Sequence, residues 1–161
     1  MESHPNLTRV TQAAGELGVS IRVERFPEGT RTAQEAARAV GCDVGQIVKS
    51  LVFVADGTPV VALVSGADRL DTARLASVLG ARDVRRATGD EVRAATGFAI
   101  GGVPPLGHDW PLRVVIDRRL LQHAQVWAAA GLPDAVFKVD PRALTRAIGA
   151  TEAEIALVGG S

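Results

Sequence analysis

Residues 47–65 read Ile-Val-Lys-Ser-Leu-Val-Phe-Val-Ala-Asp-Gly-Thr-Pro-Val-Val-Ala-Leu-Val-Ser, and this stretch decides the fold. Residues 47–54 form an apolar run of strand length, and residues 58–65 form a second one. The Asp56-Gly57 pair between the two runs is typical of a tight hairpin turn. The stretch therefore predicts two antiparallel strands, joined by that turn, at the centre of a sheet.

Lys49 is the unusual residue of the first strand. The strand period of two places Lys49 on one face with Leu51 and Phe53, and Ser50 on the other face. An ammonium group on so apolar a strand is costly unless it reaches the open end. Of the 18 basic residues only Lys49 and Lys138 are lysine, which hints at a site that needs a compact ammonium. A structural Lys that reaches solvent or pairs with a carboxylate stays an open alternative.

Hydrophobic periodicity and capping residues predict helices and strands on both sides of the hairpin. Helices are predicted over residues 5–17, 32–40, 71–79, 88–96, 118–125 and 140–148, with a last short helix beginning at the capping box of Thr151 and Glu154. Further strands are predicted over residues 21–26, 81–86, 112–117, 126–131 and 135–139. Without a repeat or linker, residues 1–161 are predicted to form one mixed α/β domain.

The composition limits the classes of function. The chain has 161 residues, 47% of them hydrophobic, which suits one well-buried domain. The 18 basic and 18 acidic residues cancel, which argues against a strongly basic surface that grips a long nucleic acid. No apolar run approaches the ~20 residues of a membrane span, and the first residues do not resemble a signal peptide. We therefore expect a cytoplasmic protein that does not contact membranes, and the single cysteine agrees with a reducing compartment.

Residues 96–108 read Thr-Gly-Phe-Ala-Ile-Gly-Gly-Val-Pro-Pro-Leu-Gly-His and form a loop rich in glycine and proline. Gly101-Gly102 exposes backbone N–H groups, and Pro104-Pro105 stiffens the chain that follows. Amides held in this way can bind a carbonyl or an oxyanion. The glycine spacing matches neither a dinucleotide-binding fingerprint nor a P-loop. A structural turn over the core remains the alternative.

Other chemical sites find little support in the sequence. The histidines at 4, 108 and 123 have no partners at metal-ligand spacing, so no metal and no cofactor is predicted. Cys42 could act as a nucleophile only with a histidine nearby in space, and an inert thiol is the simpler reading. No serine lies in a G-x-S-x-G elbow. The remaining set is the strand lysine, the amide loop and the small residues 129–131, which suits an ester with an adjoining phosphate or ribose.

The chain resembles the YbaK/EbsC-like family, the prolyl-tRNA editing proteins that hydrolyse mischarged aminoacyl-tRNA. The matching segments are residues 46–51 and 96–107, Ile116-Asp117 and Gly131, spread from about residue 21 to 157. The resemblance implies a mixed α+β fold with a partly barrel-like sheet flanked by helices. It also implies a cleft that receives the acceptor end of an aminoacyl-tRNA, and prolyl-tRNA synthetase as a possible partner.

The resemblance assigns roles to individual residues. Lys49 matches the functional lysine of the family, and Gly101 and Gly102 match its amide-donating loop. We expect these three residues to be catalytic in a carboxylic ester hydrolase. The residues expected to bind the substrate are Phe26, Ser50, Val103, Pro104, Leu106, Gly107, Ala129 and Gly131.

Departures from the family pattern bear on the substrate. Family members that act on cysteinyl-tRNA(Pro) carry Ser-Gly-Gly where residues 129–131 read Ala-Ala-Gly, and an Asp where this chain has Ala135 and Val136. Phe26 replaces their usual Tyr, and Ser50 replaces their Thr. The pocket is therefore expected to be more apolar and to prefer alanyl or another short aliphatic group over cysteinyl.

Two rival readings stay open at this point. One is a non-catalytic module of the same fold that binds tRNA or a synthetase. The other is hydrolysis of a small ester or amide that is not attached to tRNA. The presence of Lys49 together with Gly101-Gly102 favours the enzyme.

Overall fold

The computed structural model describes residues 4–26 and 32–158. The α-helices are α1 (Pro5–Glu16), α2 (Ala33–Val40), α3 (Thr72–Leu79), α4 (Gly89–Thr96) and α5 (Pro141–Ile148), with 3-10 helices at Val44–Gln46 and Arg118–Gln122. The strands are β1 (Val23–Arg25), β2 (Val48–Ala55), β3 (Thr58–Ser65), β4 (Arg69–Leu70), β5 (Val84–Arg86), β6 (Arg113–Asp117), β7 (Val126–Ala129), β8 (Ala135–Val139), β9 (Thr151–Ala153) and β10 (Ala156–Leu157). This mixture confirms the predicted α+β class.

The predicted hairpin forms the middle of the largest sheet, whose strand order is β5-β2-β3-β6-β9. β2 and β3 pair antiparallel over their full length, and β6 and β9 add in parallel. The turn has φ of 48° at Asp56 and 84° at Gly57, the left-handed values that a two-residue hairpin of this kind requires. The Asp56 carboxylate also accepts the Arg82 and Asp83 N–H groups at 3.1 and 2.8 Å, which fixes the start of β5 beside the turn.

Smaller sheets complete the fold. β1, β8 and β7 form an antiparallel sheet, and β10 pairs with β4. Between the two larger sheets, a single bridge between Ile47 and Trp127 is found in the described part of the chain. The partly barrel-like sheet expected from the resemblance is therefore an open arrangement that hydrogen bonds do not close.

The alternation of side chains along β2 divides the core in two. Val52, on one face, belongs to a cluster with Phe98 and Phe137. Phe53, on the other face, belongs to a second cluster with Leu75. Within residues 4–26 and 32–158, no helix has the length and apolarity needed to cross a membrane.

The predicted helix at Thr151 is wrong. Residues 151–153 form β9, which pairs in parallel with β6, and residues 156–157 form β10. The reason is a buried carboxylate: Asp117 accepts the N–H groups of Ile155 at 2.8 Å and Ala156 at 3.2 Å, and of Arg119 at 3.1 Å. Tertiary hydrogen bonds thus override the local capping signal. The predicted strand at 21–26 and helix at 118–125 are also shorter in the structure.

Asp117→Ala should destabilise the protein by about 3 kcal/mol, because three backbone N–H groups would lose a charged acceptor that is only 1% exposed. Urea unfolding followed by circular dichroism measures the change. The nearby exposed Glu154 supplies the control, since Glu154→Ala should change the free energy of unfolding by less than about 0.5 kcal/mol. Equal stability of the two variants would contradict the anchoring role of Asp117.

Candidate functional site

A pocket of about 270 Å³ lies along the part of β2 that β5 leaves uncovered. β5 pairs with β2 only over Phe53–Ala55, whereas residues 47–52 line the pocket. The rest of the lining comes from six places: the end of β5 and the residue after it (Arg86, Ala87), α4 (Val92), the loop (Ile100, Gly101, Val103), β7 (Trp127, Ala129), the segment before and within β8 (Pro133, Val136), and α2 with its cap (Thr32, Ala33, Ala36).

The pocket opens where the chain leaves β5. Ala87 donates one more hydrogen bond to the Val52 carbonyl, at 3.1 Å. Thr88 then begins α4 with the predicted capping box, in which its N–H reaches the Glu91 carboxylate at 2.9 Å and its hydroxyl accepts the Glu91 N–H at 3.2 Å. These bonds turn the backbone away from β2 and leave the strand edge open.

The glycine-rich loop follows α4 and is held from inside. The buried Thr96 hydroxyl donates to the Val92 carbonyl at 2.7 Å and accepts the Phe98 N–H at 3.0 Å. At the far end of the loop, the His108 Nε2 atom lies 2.7 Å from the Pro104 carbonyl. Burial lowers the pKa of His108, although its contact with the Pro104 carbonyl opposes this shift. The loop is therefore held by hydrogen bonds near both ends, and Ile100, Gly101 and Val103 between them line the pocket.

Gly101 and Gly102 occupy different environments. Gly101 is exposed and lines the pocket, and its N–H makes no hydrogen bond within the described ranges. Gly102 is buried, and its N–H donates to the Ala99 carbonyl at 3.0 Å. A Cβ at position 102 would lie 3.0 Å from the Leu132 Cα atom and 3.1 Å from the Gly131 carbonyl. The sequence predicts that both amides are free, but among the residues described only that of Gly101 has no hydrogen-bond partner.

Several predicted binding residues support the loop from behind. Pro104 and Leu106 are buried, and Gly107 packs closely on Ala13 of α1, whose Cβ would lie 3.3 Å from a side chain added there. Gly131 has φ of 105°, and its carbonyl accepts the Asn6 side-chain amide at 3.0 Å. None of these four predicted residues lines the pocket.

Lys49 lines the pocket and is half-buried. Its ammonium donates a hydrogen bond to the Asp68 carbonyl. The Asp68 carboxylate in turn pairs with Arg119 at 2.8 Å. Burial lowers the pKa of Lys49, the negative charge of Asp68 opposes this shift, and the positive charge of Arg86 adds to it. The ammonium is thus poorly hydrated and held in place.

The remaining predicted residues divide between the pocket and its surroundings. Ser50, Val103 and Ala129 all line the pocket. The Ser50 hydroxyl is buried and has no hydrogen-bond partner among the residues described. Phe26 is half-buried just after β1 and donates its N–H to the Asp134 carbonyl at 3.0 Å, outside the pocket lining.

The sequence reading missed Arg86 and Trp127. Arg86 lies at the end of a correctly predicted strand, but it was counted only as one of many arginines. Trp127 lines the pocket because of its bridge to Ile47, a contact between distant segments that no local pattern reveals.

Cys42 lies outside the pocket lining, and its thiol donates to the Asp43 carbonyl at 3.3 Å. Burial raises the pKa of this thiol, and the charge of Asp43 raises it further, so the thiolate form is disfavoured. In the portion of the chain that the structure describes, no group of three or more His, Cys, Asp or Glu residues could hold a metal ion.

The pocket can offer a ligand positive charge and hydrogen-bond donors, from Lys49, Arg86 and the Gly101 N–H. Its charged lining residues are Lys49 and Arg86, and its described lining includes no Asp, Glu, His or Cys. The side chains therefore offer no ordinary general base. Donors of this kind stabilise negative charge that develops on an ester or a phosphate.

A family model described as the aminoacyl-tRNA editing domain matches residues 27–147. This chain belongs to that family. The membership agrees with the YbaK/EbsC-like resemblance and confirms it. The matched range includes β2, β5, the glycine-rich loop and β7, which together supply most of the pocket lining.

The chain is similar to proteins of known structure over nearly its whole length. A candidate trans-editing enzyme for prolyl-tRNA synthetase is 46% identical with a TM-score of 0.92, over 97% of this chain and 99% of that one. A scaffold protein from computational epitope grafting is 42% identical with a TM-score of 0.91, over 96% of this chain and 99% of that one.

Curated relatives are much longer proteins. The proline–tRNA ligase of Nitratidesulfovibrio vulgaris (strain DP4) is 39% identical over 92 residues, which are 57% of this chain and 16% of the ligase. That of Solidesulfovibrio magneticus is 38% identical over 109 residues, or 66% of this chain and 19% of the ligase. The chain thus spans less than a fifth of either ligase.

We predict that the Lys49 side chain titrates below 10.5, the ordinary lysine value, because the pocket withholds water from its ammonium. The chain has two lysines, so labelled lysine in a Lys138→Arg variant reports Lys49 alone in an NMR titration. In the Lys138→Arg background, the second substitution Arg86→Gln removes a nearby positive charge and so favours the charged ammonium. It should therefore raise the measured pKa of Lys49. A Lys49 pKa at or above 10.5 in the Lys138→Arg protein would contradict the burial of this group.

Proposed function

We propose that this protein is a trans-acting aminoacyl-tRNA deacylase that hydrolyses the ester of mischarged tRNA, with tRNA(Pro) carrying a small amino acid as its substrate. The observation that carries the proposal is that Lys49 and Gly101, whose N–H is unbonded among the residues described, line one pocket in a member of the aminoacyl-tRNA editing family. Similarity to a candidate trans-editing enzyme for prolyl-tRNA synthetase supports the choice of tRNA.

In this proposal the Gly101 N–H binds the ester carbonyl oxygen, and the Lys49 ammonium offsets the negative charge that grows as water attacks. The oxygen of water forms a bond to the carbonyl carbon, and the bond from that carbon to the ribose oxygen breaks. The leaving ribose oxygen takes a proton, which gives free amino acid and tRNA. Because the lining residues that the structure describes include no Asp, Glu, His or Cys, we assign the relay of the attacking water's proton to a hydroxyl or amino group of the substrate.

Gly102 has a different part in this scheme from that expected. Its N–H is bonded to Ala99 and its Cα packs on the backbone of residues 131–132, so it shapes the loop that presents Gly101. A Cβ at position 102 would obstruct this close approach of two backbones. Gly131 is constrained differently, because its φ is 105° and a Cβ there would lie 3.1 Å from Asn6 and Phe98.

The acyl group is proposed to lie against Val103, Ala129 and Val136, which line the pocket. Small and apolar walls suit an alanyl group or another short aliphatic one. Editing by a second site is needed for such groups, because a synthetase discriminates only ~1–3 kcal/mol per methylene against a smaller side chain.

The second candidate function is a non-catalytic module that binds tRNA or a synthetase. The absence of an Asp, Glu, His or Cys from the described lining favours it, because such a pocket can bind without reacting. Steady turnover of mischarged tRNA supports the enzyme, whereas binding without turnover supports the module. Comparison with a free aminoacyl ester at equal concentration tests whether tRNA is part of the substrate.

Lys49→Ala should lower kcat/KM for deacylation by about 100- to 1000-fold, the usual effect of losing one preorganised donor to the transition state. Release of labelled amino acid from mischarged tRNA(Pro) measures the rate. Lys138→Ala serves as the matched control, because Lys138 is exposed and lies outside the pocket lining. Wild-type activity in Lys49→Ala protein would remove this residue from the mechanism.

A panel of mischarged tRNA(Pro) substrates should show faster deacylation of alanyl or another short aliphatic group than of cysteinyl, because the acyl walls are apolar. The measurement is kcat/KM for each aminoacyl group at one temperature and salt concentration. A result with cysteinyl as the sole good substrate would overturn the proposed preference while leaving the deacylase in place.

A further inference from the structure

Arg86 is a cation without an assigned task. It ends β5 opposite Phe53, its side chain is exposed, and its guanidinium lies 5.9 Å from the Phe53 ring centroid. Over the described ranges the side chain makes no ion pair and no hydrogen bond. Its neighbour Arg85 differs, because both of its terminal nitrogens bind the Glu91 carboxylate at 2.8 Å. Of two adjacent arginines, one therefore pairs with a carboxylate of the fold, and the other has no such partner among the residues described.

The described part of the pocket lining carries positive charge, and Asp68, whose negative charge acts on Lys49 from outside the lining, is paired with Arg119. Arg86 and Lys49 both line the pocket, and its described lining includes no carboxylate. The two cations lie close enough for Arg86 to lower the pKa of Lys49. Like charges held together in this way are unfavourable until an anion lies between or beside them. The pocket thus has the electrostatics of an anion-binding subsite.

The proposed substrate contains such an anion close to the ester. The aminoacyl group is attached to the terminal ribose, and the 5′-phosphate of that nucleotide is on the same sugar. A guanidinium group binds phosphate through two parallel N–H donors, whereas an ammonium acts as a point charge. An arginine therefore suits the phosphate, and the lysine is left for the ester.

We propose that Arg86 binds the 5′-phosphate of the substrate's 3′-terminal nucleotide and thereby positions the ester against Lys49 and Gly101. This inference rests on the proposed function, which it extends to the nucleotide part of the ligand. Arg86 acts through binding and not through the reacting atoms. Its loss should raise KM for the aminoacyl-tRNA by about tenfold or more and leave kcat nearly unchanged, because its charge-assisted hydrogen bonds to the phosphate act on binding alone.

The test uses two inert ligands, 3′-alanylamido-3′-deoxyadenosine with and without a 5′-phosphate. Their dissociation constants are measured by calorimetry for the wild type, Arg86→Gln, Arg86→Lys and the control Arg85→Gln. We expect the phosphate to tighten binding to the wild type and the Arg85→Gln control by about 10- to 100-fold. The gain should vanish in Arg86→Gln and be partly kept in Arg86→Lys. Thermal unfolding of each variant checks that the fold is intact.

The outcomes separate the two proposals. A phosphate-dependent gain that persists in Arg86→Gln, or that is absent in the wild type, would overturn the role of Arg86 and leave the deacylase untouched. Wild-type protein that binds neither ligand would overturn the proposed function, and this inference with it. A final measurement uses free alanine as the ligand. If Arg86→Gln binds alanine more weakly than the wild type does, while the 5′-phosphate still tightens binding of the analogue, then Arg86 binds the carboxylate of the product instead.

Discussion

The hairpin of β2 and β3 is the constraint on which the rest of the structure depends. Its turn places Asp56 so that one carboxylate receives the first N–H groups of the β5 segment. The same residue therefore determines both the register of the central strands and the position at which β5 joins them. Because that position is at the turn, the opposite end of β2 remains uncovered, and Lys49 lies at this end.

A chain of hydrogen bonds and one ion pair, anchored by the buried Asp117 and Asp68, connects the sheet to this lysine. Asp117 anchors the backbone of residues 155–156 and of Arg119, and the Arg119 side chain holds Asp68, whose carbonyl accepts the Lys49 ammonium. Buried polar groups of this kind are stable when every member has a partner. The ammonium is consequently oriented before any ligand arrives, and little reorganisation is needed when negative charge develops beside it.

Local chemistry made much of this fold predictable from the sequence. The Asp56-Gly57 turn, the capping box at Thr88 and the apolar runs of β2 and β3 each act over a few residues, and all were read correctly. The helix predicted at Thr151 does not form, because Asp117, a residue distant in sequence, accepts the N–H groups of Ile155 and Ala156. Short-range patterns cannot report such competition.

Part of the pocket lining was predictable from the sequence, while the roles of those residues stay predictions. Lys49, Ser50, Gly101, Val103 and Ala129 all line the pocket. The Gly102 N–H donates to the Ala99 carbonyl, and the Arg86 side chain makes no hydrogen bond or ion pair with the residues described. Both facts depend on the detailed geometry of the fold, which residue types alone do not reveal. A resemblance to a family identifies which residues correspond. Only the structure shows whether the hydrogen-bond donor of each residue already has a partner.

The short length of β5 has a consequence for how this protein can change. If β5 were two residues longer, its backbone would pair with the uncovered edge of β2 and fill the groove with main chain. Ala87 in this junction belongs to the main hydrophobic cluster, so the length of chain between Ala87 and α4 is the variable that sets the size of the groove. Insertions or deletions there are expected to change which ligands enter.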